Sequence, residues 1–169
     1  MKGYKGNIFV ALDISDPTHP KEVSRWWVKG RWEEGGEKAD RFYQLHGPPD
    51  GLRDRAYLPY DRAGFVTLDI SDLSHSRQIA RIDIGDFGSV VGARTYLPIP
   101  SRKLAIATTE AILEEERDPL NLALVVDMKN EEKPKPIAYF IPATPKKKRG
   151  LLPKELATQT EDVIVDKRG

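Results

Sequence analysis

A stretch of eight residues occurs twice in this chain, and a repeat constrains the architecture before any single residue constrains the chemistry. Residues 65–72 read FVTLDISD and residues 9–16 read FVALDISD, so seven of the eight positions are identical. A degenerate third copy covers residues 124–130. The three copies share one aspartate, which is Asp13, Asp69 and Asp127. These aspartates are 56 and then 58 residues apart. Because common propeller blades repeat every roughly 40 to 50 residues, each unit is predicted to carry an insertion.

The repeated stretch has the pattern of a largely buried strand. In residues 65–70, apolar side chains occupy every second position, and most of the others are β-branched or aromatic. Such a pattern is typical of a pleated surface. Ser71 and Asp72 then end the strand, because short polar side chains hydrogen-bond to nearby backbone. A second strand pattern follows at 77–81, as it does at 21–25 after the first copy. The repeating unit is therefore predicted to be strand, polar turn and strand.

Most of the remaining chain also reads as short strands separated by turn residues. Residues 46–51, which contain Gly-Pro-Pro and Asp-Gly, are predicted to form a turn. Strands are predicted at residues 7–15, 21–29, 41–45, 55–60, 65–71, 77–84, 89–97, 103–108, 122–128, 135–141 and 161–166. The sequence therefore predicts an all-β fold of four-stranded antiparallel blades of the β-propeller type, in an incomplete propeller.

The strand pattern divides the chain into four units. Residues 1–40 form a partial first blade with an insertion loop, 41–88 a second blade, 89–145 a third blade, and 146–169 a basic connector with the first strand of a further blade. The first and last units lack strands, and an unpaired sheet edge invites association. The chain is therefore expected to form a homo-oligomer or to be part of a larger propeller.

Composition excludes several classes of function. The net charge is +1 over 169 residues, so neither nucleic acid nor a membrane surface is expected as a partner. No apolar run reaches about 18 residues, so no membrane-spanning helix is predicted. The absence of cysteine excludes disulfides, thiol nucleophiles and thiolate metal sites. The N-terminus has no secretory pattern, which indicates a cytoplasmic protein.

The repeat resembles the LVIVD-repeat family of β-propellers. Units of that family carry a strand of the type L-x-I-x-D-I-S-D-P followed by P-x-x-V, and residues 12–17 with 20–23 are similar to it, as are 68–72 with 77–79. Residues 158–169 are similar to a stretch that opens a late blade in such proteins. The third copy departs from the pattern, since it lacks I-S-D-P. The resemblance implies the propeller fold and no particular activity, because propellers carry many functions.

A metal site in the central channel is one hypothesis for the chemistry. His46 follows a predicted strand, Glu110 ends another, and Asp162 opens the last one. One histidine with two carboxylates suits a divalent cation or general acid–base catalysis. The alternative is that His46 is a turn residue bonded to backbone, with no ligand role.

Other polar residues are predicted to have structural roles. Asp13, Asp69 and Asp127 recur in the repeat, which indicates bonding to a neighbouring backbone or turn. His19 and His75 occupy equivalent positions in separate units and are therefore expected to lie far apart. Trp26 and Trp27 are adjacent, so only one of the two is predicted to pack between blades.

The sequence favours a non-catalytic binding or assembly scaffold, because no stretch carries a phosphate-binding glycine loop or a nucleophile elbow. The alternative function is that of a metal-dependent hydrolase or lyase. Such an enzyme would act on a small molecule in the central channel and use one divalent metal as its cofactor.

Overall fold

The computed structural model describes residues 8–30, 32, 36, 45–84, 92–110 and 122–140. Within these ranges the chain forms ten strands in three antiparallel sheets. The strands are β1 (Phe9–Asp13), β2 (Lys21–Trp26), β3 (Asp50–Leu52), β4 (Arg55–Pro59), β5 (Phe65–Asp69), β6 (Arg77–Ile82), β7 (Gly92–Ile99), β8 (Leu104–Glu110), β9 (Ala123–Asp127) and β10 (Lys135–Phe140). Single turns of 3-10 helix lie at Leu73–His75 and Pro100–Arg102.

Each sheet connects strands in chain order. The hairpin sheet contains β1 and β2, the middle sheet runs β3-β4-β5-β6, and the third sheet runs β7-β8-β9-β10. This meander of four antiparallel strands is the arrangement of a propeller blade. The predicted all-β fold with propeller-type sheets is confirmed, and the propeller is incomplete. The boundaries predicted between the four units all fall outside the described residues.

The two central strands of the middle sheet, β4 and β5, are buried on both faces. Phe65 and Thr67 of β5 face one side, and Val66 and Leu68 face the other, because side chains alternate along a strand. All four are fully buried. The near-continuous apolar run of β5 is thus covered by two neighbouring sheets, whereas the similar run of β1 packs against one.

The third sheet covers the Phe65 face. Tyr57 of β4 and Tyr96 of β7 pack edge to face, with ring centroids 5.3 Å apart, and Phe65 lies 5.5 Å from the same tyrosine. Such geometry suits the quadrupoles of aromatic rings. Ala105 and Ala107 of β8 are also buried there, and their small side chains leave room for the rings.

The hairpin sheet covers the other face. Phe9 and Ala11 of β1 join the buried cluster that includes Leu58 and Leu68. Trp26 packs edge to face with Tyr60, at a centroid distance of 5.9 Å. The prediction that only one of the adjacent tryptophans packs inward is wrong, because Trp27 also lies against this cluster. Since β2 ends at Trp26, strand alternation does not extend to the next residue.

The turn predicted at residues 46–51 is shorter in the structure. Asp50, Gly51 and Leu52 form the edge strand β3, pairing with Tyr57, Ala56 and Arg55 respectively. Pairing with β4 therefore decides the conformation of these residues over their local turn preference. The strand predicted at 41–45 lies outside the described residues except for Leu45, which is not in a strand, and the strand at 161–166 lies outside them entirely.

Candidate functional site

The recurrent aspartates bind the backbone of the turn that follows each repeated strand. Asp13 Oδ1 accepts a hydrogen bond from the Ser15 amide at 2.9 Å and from its hydroxyl at 2.6 Å. Asp69 accepts from the Ser71 amide at 3.0 Å, and Asp127 from the amide two residues later at 2.9 Å. These hydrogen bonds favour the charged carboxylates and hold their pKa values below the ordinary one. The prediction of a structural role is confirmed.

A second aspartate in the motif accepts hydrogen bonds from the next turn in the same way. Asp72 Oδ1 accepts from the amide and hydroxyl of Ser74, at 2.9 and 2.5 Å, and its Oδ2 lies 2.8 Å from His75 Nδ1. The hydroxyl and imidazole contacts are the main causes that lower the pKa of Asp72 to about 2. The first copy repeats this geometry, with His19 Nδ1 3.1 Å from Asp16 Oδ2. Each of these two histidines thus contacts a carboxylate of its own turn.

Part of the predicted metal site lies at one end of the middle and third sheets. The amide of His46 donates to the carbonyl of Pro59 at 3.1 Å. Its neighbour Gly47 lies so close to β7 that an added Cβ would be 1.9 Å from the Arg94 carbonyl oxygen. The backbone of Glu110 pairs with Gly92, also on β7. The fold therefore brings the backbones of His46 and Glu110 to the same end of neighbouring sheets.

The proposed ligand set itself stays a prediction. The side chain of Glu110 and the whole of Asp162 lie outside the described residues. The described part of the chain contains no group of three or more histidines and carboxylates placed to hold a metal ion.

A cavity of about 350 Å³ lies between the middle and third sheets, at the end opposite to His46. Its apolar wall is formed by Leu52, Pro98, Pro100, Leu104 and Met128. Charged and hydroxyl groups line the rest, namely Arg53, Asp54, Arg55, Tyr57, Lys103 and Glu131. Sequence reasoning missed this site because its walls come from turns of different sheets, and no motif links them.

An ion-pair network joins the two sheets beside the cavity. Arg55 Nε lies 2.9 Å from Glu131 Oε2, and Arg55 Nη1 lies 3.2 Å from Asp69 Oδ1. The hydroxyl of Tyr57 donates to Glu131 Oε1 at 3.2 Å. Burial, followed by the nearby carboxylate of Glu131, raises the pKa of Tyr57 above its usual range, so this hydroxyl remains a donor.

The two outer faces of the stacked sheets expose apolar side chains. On the hairpin sheet, Leu12 is 52% exposed and Ile14 is 67% exposed. The equivalent repeat positions in the third sheet, Val126 and Met128, are 0% and 7% exposed. The third sheet carries a row of paired apolar residues on its outer face, formed by Leu97, Ile106 and Val125. Of these, Leu97 is among the exposed large apolar residues.

Comparison with known proteins identifies the repeat. Residues 3–27 and 55–83 match the model of the LVIVD repeat. The two matched segments include the hairpin sheet and strands β4 to β6. No curated protein and no solved structure shows a significant match to the chain. Among the residues that the structure describes, no helix has the length and apolar character needed to cross a membrane.

Proposed function

Two segments of this chain match the LVIVD repeat, and its described residues form propeller-type antiparallel sheets; from that premise we propose that the chain serves as a non-catalytic assembly scaffold. The partner is a second copy of the chain. One observation carries the proposal: a single repeat position is fully buried at Leu68 and half exposed at Leu12. The buried copy has a sheet in front of it, and the exposed copy presents the same kind of surface.

The chain already contains the proposed contact twice. The hairpin sheet packs on the middle sheet, and the middle sheet packs on the third. In both contacts the face that carries Leu68 or Val126 meets the opposite face of the preceding sheet. The Leu12 face of one copy is thus suited to the Leu97 face of another. Such a head-to-tail contact is heterologous and closes into a ring when the rotation between sheets permits it.

The free energy of association requires a contact that covers a whole sheet face and not only two side chains. Complete burial of one leucine or isoleucine contributes about 1.5 to 3 kcal/mol. Association costs an estimated 4 to 15 kcal/mol, so Leu12 and Ile14 alone are insufficient. Partly exposed apolar residues on the opposing surface, Leu97 together with Phe140, add to the area available.

Mass measured in solution tests the proposal. We expect size-exclusion chromatography with light scattering to show oligomers that grow over about 1 to 100 µM protein, because assembly follows mass action. The double variant Leu12→Ser and Ile14→Ser should be monomeric over the same range. Leu73→Ser is the matched control, since Leu73 is 45% exposed but lies in a turn rather than on the sheet face. A wild-type monomer at every concentration, or an oligomer unchanged by the double variant, would contradict the proposal.

The alternative function is that of a metal-dependent hydrolase or lyase, which the common location of the His46 and Glu110 backbones favours. Native mass spectrometry combined with metal analysis distinguishes it. A stoichiometric divalent ion that is lost in His46→Ala supports the enzyme. A metal-free protein after incubation with Zn²⁺ and Mn²⁺ eliminates it.

A further inference from the structure

We propose that the cavity between the middle and third sheets binds a small organic anion, one with a carboxylate on a compact apolar body. The cavity is built by two sheets of one chain, so this inference is independent of the assembly proposed above. Its volume of about 350 Å³ equals that of about a dozen water molecules in the liquid. A ligand with roughly ten non-hydrogen atoms therefore fills it, and ligand pockets generally begin near this size.

Two cations at the cavity are available to a ligand. Arg53 and Lys103 both line it, and neither side chain has a hydrogen bond or ion pair with any described residue. By contrast, Arg55 already contacts the carboxylates of Glu131 and Asp69. Both oxygens of Glu131 are also occupied, by Arg55 and by the hydroxyl of Tyr57. Once the paired side chains are set aside, the cavity is lined by two cations, Arg53 and Lys103, and one carboxylate, Asp54. The remaining charge is therefore positive.

Backbone conformation provides a second, independent observation. Arg53 and Lys103 both have φ of 53°, in the left-handed region that disfavours residues with a Cβ. Both lie in the connection between the first and second strands of their sheets, Arg53 directly after β3 and Lys103 directly before β8. Glycine is the residue that fits such a position without strain. A long basic side chain stands at both strained positions, where glycine would cost less, and this points to a role for the side chain itself.

The cavity wall selects the rest of the ligand. Leu52 and Pro98 offer apolar contacts and no hydrogen-bonding side chain, and the sulfur of Met128 is already the acceptor of the Tyr96 hydroxyl at 3.5 Å. An inorganic anion gains nothing from such a wall, whereas an aromatic or branched aliphatic body loses its contact with water there. The combination of apolar wall and two cations therefore points to an amphiphilic acid, for which benzoate is a suitable probe.

Titration of the complete, isotope-labelled chain followed by NMR tests the assignment. With nine non-hydrogen atoms, benzoate is expected to bind with a Kd of about 1 to 10 mM. The perturbed amides should belong to the residues around Arg53, Lys103 and Met128. Benzamide has the same shape without the charge, and phosphate has the charge without the ring; both should bind at least about fivefold more weakly. Equal binding of benzamide or of phosphate would overturn the assignment, as would the absence of shifts at about 20 mM benzoate.

Glycine variants provide a test that preserves the fold. Arg53→Gly and Lys103→Gly remove a cation and relieve the left-handed strain, so both should fold. Each is expected to weaken benzoate binding about three- to fivefold, and the double variant about tenfold or more. Arg102→Ala is the matched control, because Arg102 is adjacent to Lys103 but does not line the cavity. Unchanged benzoate binding in the double glycine variant, or equal weakening in the control, would refute the proposal.

Discussion

Leu12 and Leu68 occupy the same position of the repeat, and we expect their truncation to alanine to have very different costs. Leu68 is 0% exposed and belongs to the cluster between the hairpin and middle sheets. Leucine-to-alanine changes at such sites cost about 2.7 to 5 kcal/mol, because a cavity adds to the lost transfer free energy. At Leu12, which is 52% exposed, no enclosed cavity forms. About half of the 1.5 to 3 kcal/mol for full burial is at stake there, so the cost is about 1 kcal/mol.

Urea denaturation followed by circular dichroism measures both costs. For a slope of about 1.5 kcal/mol per molar urea, Leu68→Ala should lower the midpoint by about 1.8 to 3.3 M and Leu12→Ala by about 0.7 M. The series should be run at a low protein concentration, at which light scattering shows a monomer. Equal costs for the two variants under that condition would refute the assignment of one face as covered and the other as open.

Repeating the series at high protein concentration connects stability to assembly. If copies associate through the Leu12 face, this residue becomes buried in the oligomer, and association stabilises the folded state by mass action. The cost of Leu12→Ala should then rise with protein concentration. The cost of Leu68→Ala should stay the same, because association stabilises that variant and the wild type equally.

Three further predictions concern turns and the contact between sheets. The folded pKa of Asp72, about 2, lies below its ordinary value of 3.8, so its contribution to stability is complete above about pH 5 and is lost as the pH falls through about 2. Asp72→Asn should thus be less stable than wild type at pH 7, and most of that difference should be gone at pH 2. A difference at pH 2 as large as that at pH 7 would contradict this. Gly64→Ala should destabilise by more than about 2 kcal/mol, since Gly64 has φ of 85° and an added Cβ would be 2.1 Å from a carbonyl oxygen of β6. Gly51→Ala, whose Cβ would meet nothing within 4 Å, is the control and should change stability by at most about 0.5 kcal/mol when thermal melts of both variants are compared with wild type. Glu131→Gln should cost about 1 kcal/mol in urea unfolding, because the ion pair it breaks is partly exposed; a loss equal to that of the control Glu132→Gln would be inconsistent with a network between the sheets.

The turns of the repeat could be predicted from the sequence because their interactions are local. Asp13, Asp69 and Asp127 each bind an amide two residues away, and that spacing is visible in the residue string. Strand alternation is also local, so most strand positions agree with the structure to within a few residues. Where a strand depends on its partner, local reasoning fails: Asp50 and Gly51 have turn-forming side chains, and pairing with β4 makes them a strand.

The candidate sites depend on residues distant in the chain. Arg55 and Glu131 are 76 residues apart, yet their side chains form the ion pair beside the cavity. No periodicity or spacing rule connects such positions, because their separation in space results from the packing of whole sheets. The cavity and its two available cations therefore result from the packing of the sheets and could not be predicted from the local sequence.

The sequence by itself determined the repeat, its capped turns and the all-β class, since hydrogen bonds over two residues and alternation over single strands are properties of short segments. Only the tertiary structure decided which copy of the repeat is covered by a neighbouring sheet and which is exposed. Leu12 and Leu68 lie in stretches that are identical at seven of eight positions, yet they differ in exposure, because one copy has a sheet packed against it and the other presents its face to solvent. Burial is a property of neighbours, and the order of the sheets sets which neighbours a residue has.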